Sequence, residues 1–290
     1  MARPDRAVIP VAGLATRMYP LSRAIPKELL PLGRKPVLSH VVEELARAGV
    51  SRLQMITSER TRAIEQYFGP DEPLDRALSQ AGLDRLWAAE NEIRSRCSFH
   101  FVRQEAPRGL ADAVHRARPF LAGRPFFLHM GDSVISGDPD LAERMIEAQE
   151  RSGAAGVVAV HTMTGEHIRA GATVVPRSDP GRDTFEIEAV IEKPAQEEIV
   201  TGLGLVGRYL LVAPLLERPR PEPRISLLGG LGGLFPDRLD GPVLAVRCRP
   251  EAQVHDAGTL DGYLQAQAFF ALHDERVGPA VRALVERTQE

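Results

Sequence analysis

The residues best able to do chemistry are concentrated near the amino terminus. There Gly13-Leu14-Ala15-Thr16-Arg17-Met18 is followed by Pro26-Lys27-Glu28-Leu29-Leu30-Pro31. Two cations and a run of backbone N–H groups after an apolar stretch suit the oxygens of a polyphosphate. N–H groups can cradle such oxygens and fixed positive charge can neutralise them. Neither common phosphate loop is present, since the chain lacks Gly-x4-Gly-Lys-Ser/Thr and Gly-x-Gly-x-x-Gly at this place. The same residues also suit a surface loop with two solvated cations. Asp132, directly after the apolar run 125–130, and Asp256 are carboxylates of the kind a hard divalent cation prefers. Each also reads as a turn or helix cap. Glu192 and Lys193 could hold a ligand or pair at the surface. Gln104 could read a ligand or simply end a strand, and turn geometry alone could require Gly171. His255 suits packing or orienting better than ligation. Gly229, Gly230, Gly232 and Gly233 lie among leucines and suit packing or flexibility better than phosphate binding.

Positioning these residues requires strands that deliver loops to one edge. Apolar runs predict strands over 7–11, 53–57, 97–103, 125–130 and 154–161. Helical periodicity predicts helices over 37–48, with Gly49 as the stop, and over 59–67, 111–120 and 141–150. A helical insertion over 71–95 carries the only tryptophan, Trp87. This alternation predicts an α/β fold with a Rossmann-like, mostly parallel sheet flanked by helices. In such sheets ligands bind beyond the carboxyl ends of the strands. After about residue 165 the texture changes to short strands over 172–176, 185–191 and 205–212, which predicts a smaller mixed β lobe. We read 1–290 as one domain, with a first part to about 165, a smaller lobe over about 166–258, and C-terminal helices over 259–290. The Pro-rich piece 219–223 is a stiff extended loop.

Bulk properties narrow the class. The chain has 290 residues, 43% apolar and 26% charged, and a net charge of −3, which gives no electrostatic case for a nucleic-acid partner. Two cysteines, Cys97 and Cys248, fit neither a zinc site nor a disulfide framework. No apolar run approaches the roughly 20 residues of a membrane span, nor does the start resemble a signal peptide. A cytoplasmic protein is expected.

Val8-Ile9-Pro10-Val11-Ala12-Gly13-Leu14-Ala15-Thr16-Arg17-Met18, with Ala24-Ile25-Pro26-Lys27-Glu28-Leu29-Leu30-Pro31, resembles the signature of bacterial UTP–glucose-1-phosphate uridylyltransferases. The resemblance continues in order through Gln104, Gly109-Leu110, Asp132, Gly171, Ile191-Glu192-Lys193-Pro194, Gly207-Arg208-Tyr209 and His255-Asp256-Ala257-Gly258. It implies a fold of the nucleotide-diphospho-sugar transferase type, in which the part to about 165 would bind nucleotide and the lobe over about 166–258 the sugar phosphate. The implied reaction joins UTP to a sugar 1-phosphate, glucose 1-phosphate first among them, and releases pyrophosphate. Mg²⁺ on Asp132 and Asp256 would bridge the phosphates. Arg17 and Lys27 would stabilise the triphosphate and the leaving pyrophosphate, and Lys193 would hold the sugar phosphate. Gln104, with Ala12, Gly13 and Gly109, would read the pyrimidine, while Gly171, Glu192 and position 224 would lie on the sugar. A homo-oligomer is implied too.

Two departures from the family pattern stand out. Ala15 replaces a loop glycine, narrowing the conformations available beside the phosphates. Arg224 stands where the family has a sugar-binding Glu, and Ser226 where it has Gln, so an acceptor has become a cationic donor and the sugar preference is open. Other readings therefore remain: the same reaction with dTTP, ATP or GTP, an unusual sugar or cyclitol phosphate, or a catalytically silent regulator that binds nucleotide sugar.

Overall fold

The structure, a computed structural model, describes residues 3–83, 88, 92–93, 95–106, 108–212 and 241–287. Trp87, the Pro-rich loop, Arg224, Ser226 and the glycines at 229–233 lie outside the described residues. The strands in chain order are β1 (Arg6–Pro10), β2 (Pro31–Leu32), β3 (Lys35–Pro36), β4 (Arg52–Thr57), β5 (Ser98–Arg103), β6 (Phe126–His129) and β7 (Ser133–Ser136). They continue as β8 (Gly156–Thr162), β9 (Ala172–Pro176), β10 (Thr184–Glu192), β11 (Leu203–Leu211), β12 (Val243–Arg247) and β13 (Gln253–Asp256).

Nine of these form one sheet in the order β5-β4-β1-β6-β11-β8-β12-β10-β9. Alternation along β1 sends Ala7 and Ile9 into one apolar cluster and Val8 into the other. A strand buried on both faces reads as a continuous apolar run, which is why β1 was plain in the sequence. Helix Val37–Arg47 covers one face with Val37, Leu38, Val41, Val42 and Leu45, all fully buried, and helix Leu110–Arg116 covers the other.

The α/β reading holds, but the sheet is more mixed than the alternation predicts. β1 pairs in parallel with β4 and β6, and β4 with β5, so the loops after all four strands open on one edge. β11 then enters between β6 and β8, antiparallel to both. β12 is parallel to β8 and β10 antiparallel to β12. β9 pairs with β10 and, through Thr173 opposite Gly204, also with β11, so the second half of the strand order closes on itself. Sequence pattern cannot foresee β11's place, because a run such as Leu203–Leu211 is equally apolar beside either kind of neighbour.

β11 also shapes the edge that matters. Its register slips between Leu205 and Tyr209, and Gly207 sits there at φ 75°. A Cβ at Gly207 would lie 2.9 Å from Met130 Cγ, so glycine lets β11 press against the chain just before Asp132. Next to it, the fully buried Arg208 forks onto Glu44 of helix Val37–Arg47, with Nη2 to Oε2 at 2.8 Å. The same Nη2 donates to the Ser133 carbonyl at 2.7 Å. Removing either partner strands a buried charge, at a cost of about 3–5 kcal/mol. His129, opposite Arg208, stays neutral, because burial and then the guanidinium push its imidazole well below the usual value.

Other expectations shift locally. The helix expected over 111–120 is two, Leu110–Arg116 and Arg118–Leu121, because Pro119 cannot donate within a continuing helix and is tolerated only in a first turn. The helix expected from 59 begins as a 3₁₀ turn, Glu59–Thr61, before Arg62–Phe68. The tail divides into Leu260–His273 and Gly278–Arg287, where Asp274 accepts from the N–H groups of Arg276 and Val277. The sequence pattern predicts none of β2, β3, β7, β12 and β13. Among the described residues no helix is long and apolar enough to cross a membrane.

Candidate active site

Asp132 and Asp256 are remote in sequence and meet because β13 pairs antiparallel with β7, setting Asp256 opposite Ser133. The Ala257 N–H donates to the Asp132 carbonyl at 2.8 Å, and the Gly258 N–H donates to Asp256 Oδ1 at 2.8 Å. The position of Gly258 locates the convergence. A Cβ there would lie 2.6 Å from Asp132 Oδ2, 2.8 Å from Asp256 Oδ1 and 3.3 Å from Arg17 Nη2. Three charged groups thus face one point that only glycine leaves open.

A fourth charge completes the cluster: Lys27 Nζ pairs with Asp132 Oδ2 at 2.5 Å. Burial alone would raise the Asp132 carboxyl; the Lys27 ammonium, through its charge and hydrogen bond, outweighs this and holds the group below its usual range. Burial would likewise lower Lys27, but Asp132 keeps it raised. Asp256 is exposed at the surface, yet desolvation by the surrounding protein and then the Asp132 charge raise its carboxyl. The lowered Asp132 thus answers to Lys27, and the raised Asp256 to desolvation first and the Asp132 charge second. Glu28 lies beneath, only 3% exposed, and burial pushes its carboxyl up to about 7 against the opposing pull of Lys27.

The loop after β1 begins where the Val11 N–H donates to Ile56 O at 2.9 Å. Ala12 is buried, and Gly13 is exposed with open space at its Cβ position. Ala15 adopts φ 51°, ψ 39°, the left-handed conformation a glycine would take freely. Its carbonyl accepts from Ser22 Oγ at 2.8 Å and from the Met18 N–H at 3.0 Å, bonds that hold the turn despite the methyl group.

The remaining candidates fall into two further groups. Gln104 follows β5 at the same edge, its N–H donating to Thr57 O at 2.8 Å, and its side-chain amide reaches the Gly109 carbonyl at 3.2 Å. Gly109 sits at φ 89° before helix Leu110–Arg116, which explains the glycine. Elsewhere, the Lys193 N–H donates to the Gly171 carbonyl at 2.8 Å, where Glu192 is opposite Ala172 across β9 and β10. Lys193 is exposed at φ 44°, an uncommon conformation for a side-chain-bearing residue. His255 accepts its orienting role: Nε2 lies 2.8 Å from Ser136 Oγ and the ring packs on Phe269 and Phe270.

With this geometry in place, comparison with known proteins is decisive. The profile of the nucleotidyl transferase family matches residues 6–271. The chain belongs to that family. It is similar to a UTP–glucose-1-phosphate uridylyltransferase of Staphylococcus haemolyticus, 30% identical over 282 residues, covering 96% of each chain. It is 29% identical over 280 residues to uridylyltransferase 2 of Staphylococcus saprophyticus, covering 95% of this chain and 94% of that one. Among solved structures it superimposes on the UTP-bound UGPase of Acinetobacter baumannii with a TM-score of 0.86 and 28% identity, covering 98% of this chain and 99% of that one. The resemblance read from the motifs therefore holds along the whole nucleotidyl transferase chain.

Sequence reasoning gave no role to Gly258, Glu28 or the Glu44–Arg208 pair. Glu28 carried one signal, a carboxylate within an otherwise apolar and basic motif. Gly258→Ala should force apart carboxylates that are already tethered. We expect a loss of about 10²-fold in kcat/KM, measured by steady-state kinetics. Glu28 gives a pH test. Its folded pKa is raised from 4.5 to about 7, so its contribution favours folding below pH 4.5 and is lost as pH rises through 7. In metal-free urea titrations, the stability of Glu28→Gln relative to the unsubstituted protein should rise between about pH 4.5 and about pH 7 and level off above.

Proposed function

We propose that the protein joins UTP to glucose 1-phosphate to give UDP-glucose and pyrophosphate. The observation that carries this reading is the convergence of Arg17, Lys27, Asp132 and Asp256 on the space before Gly258, in a chain whose relatives are uridylyltransferases over almost its whole length. An oxygen of the sugar phosphate attacks the α-phosphorus in line. The bond to the α,β-bridging oxygen breaks, and its electron pair leaves with pyrophosphate. The attacking phosphate is already anionic, so no general base is needed. The difficulty is to bring two anions together and hold them aligned.

Each candidate then has a role. Arg17 and Lys27 neutralise the triphosphate and the departing pyrophosphate, and Lys193 binds the sugar phosphate. Ala12, Gly13, Gln104 and Gly109 receive the base, while Gly171 and Glu192 receive the sugar. Arg224 is assigned to the sugar by its place in the family pattern alone. A divalent ion fits the chemistry of Asp132 and Asp256, because two carboxylates sharing a site are relieved by a cation. Among the described residues no third His, Cys, Asp or Glu joins them, so the other ligands would come from phosphates and water. Mg²⁺ bound there would offset phosphate charge and orient the reacting groups. A cytoplasmic setting and a homo-oligomer belong to the same proposal.

A pyrophosphate-release screen over four triphosphates and several sugar 1-phosphates tests the reading. UTP with glucose 1-phosphate should lead. Because Arg224 replaces a family acceptor, a different leading sugar would revise that half alone, and binding without turnover of any pair would end the enzymatic reading. Asp132→Ala and Lys193→Ala should each lower kcat by about 10²-fold or more. Near-normal turnover would remove that residue from its role.

A further inference from the structure

The Gln104 amide has two chemically opposite ends, an NH₂ that donates and an oxygen that accepts. The structure fixes which end is free. Its Nε2 donates to Asp112 Oδ2 at 2.8 Å and to the Gly109 carbonyl at 3.2 Å. Both partners can only accept, so the NH₂ end must face them. Asp112 is itself buried, 8% exposed, and Arg116 Nε donates to the same Oδ2 at 2.7 Å. The helical spacing of Asp112 and Arg116 sets this brace one turn apart. Among the described residues no donor reaches Gln104 Oε1. The amide oxygen is therefore turned away from helix Leu110–Arg116, as a fixed acceptor at the carboxyl edge of β5.

We propose that Asp112, braced by Arg116, is a positioning residue that sets nucleobase choice: it locks Gln104 so that an acceptor, and not a donor, meets the base. This rests on the uridylyltransferase reading and deepens it. Uracil carries an N–H at N3 and can donate to that oxygen. Cytosine carries a lone pair at N3, which the same oxygen repels. A site built around one hydrogen-bonding sense rejects the opposite sense strongly, because a buried polar group is then left unmatched. Without Asp112 the NH₂ end keeps only its longer bond to the Gly109 carbonyl, so the amide's sense is held less firmly and NH₂ can turn toward the base.

The test compares UTP with CTP, at saturating glucose 1-phosphate, in the intact protein and two variants. In Asp112→Ala we expect the UTP-over-CTP ratio of kcat/KM to fall by about 10-fold or more, mainly through KM for UTP, with KM for glucose 1-phosphate unchanged. Asp112→Asn keeps one acceptor oxygen and should retain the preference, which a purely structural role would not require. A ratio within about 2-fold of the original in Asp112→Ala overturns the proposal. Should Asp112→Ala not fold, N3-methyluridine triphosphate supplies the second measurement on the unsubstituted protein. Lacking the N3 proton, it should turn over at least about 10²-fold less efficiently than UTP, and equal turnover overturns the proposal. Failure of the underlying function looks different: the unsubstituted protein would then release no pyrophosphate from UTP.

Discussion

Repulsion between Asp132 and Asp256 is the constraint on which the rest of the site depends. Two carboxylates held beside one glycine would disfavour their own charged forms unless cations answered them. Lys27 answers by direct contact with Asp132, and Arg17 answers from beside Gly258. The consequence is a site that is already electrostatically poised before any substrate arrives. Under the proposed function, phosphate charge would meet this fixed positive charge beside Gly258. Preorganised charge of this kind acts without reorganisation during reaction, which is how such sites lower a barrier between anions.

Holding that cluster requires a scaffold that does not relax. The antiparallel pairing of β7 and β13 fixes the backbones of both aspartates, and Arg208 clamps the Ser133 carbonyl while gripping Glu44. Gly131 contributes by close approach, since a Cβ there would come within 2.9 Å of Val11 Cγ1. The loop bearing Arg17, the motif bearing Lys27 and the aspartate segment are thereby packed as one unit. Behind Asp132 the clamp is a buried ion pair, a costly device that makes most sense where a defined backbone position is needed.

Much of this was legible in the sequence, for identifiable reasons. β1 and its neighbours were plain because strands buried on both faces read as unbroken apolar runs, and helix Val37–Arg47 because its apolar face repeats at the helical period. The residues of the charge cluster were legible as types, and their family resemblance supplied their association. What could not be read was pairing. β7 and β13 are short, half-buried segments, one with Ser133 and Ser136 and the other with Gln253 and His255, so neither shows strong strand periodicity. Their register is a tertiary fact, as is the insertion of β11 between β6 and β8. The two ends of Gln104 were equally invisible, because the sense of an amide is decided by what its neighbours can accept.

The claim that Asp132 and Asp256 act together as one cation site is tested most directly by Mn²⁺ binding, followed by electron paramagnetic resonance in the presence of a non-hydrolysable UTP analogue. The account predicts a single tight site in the intact protein that is lost alike in Asp132→Asn and Asp256→Asn. Undiminished Mn²⁺ binding in both variants would contradict it.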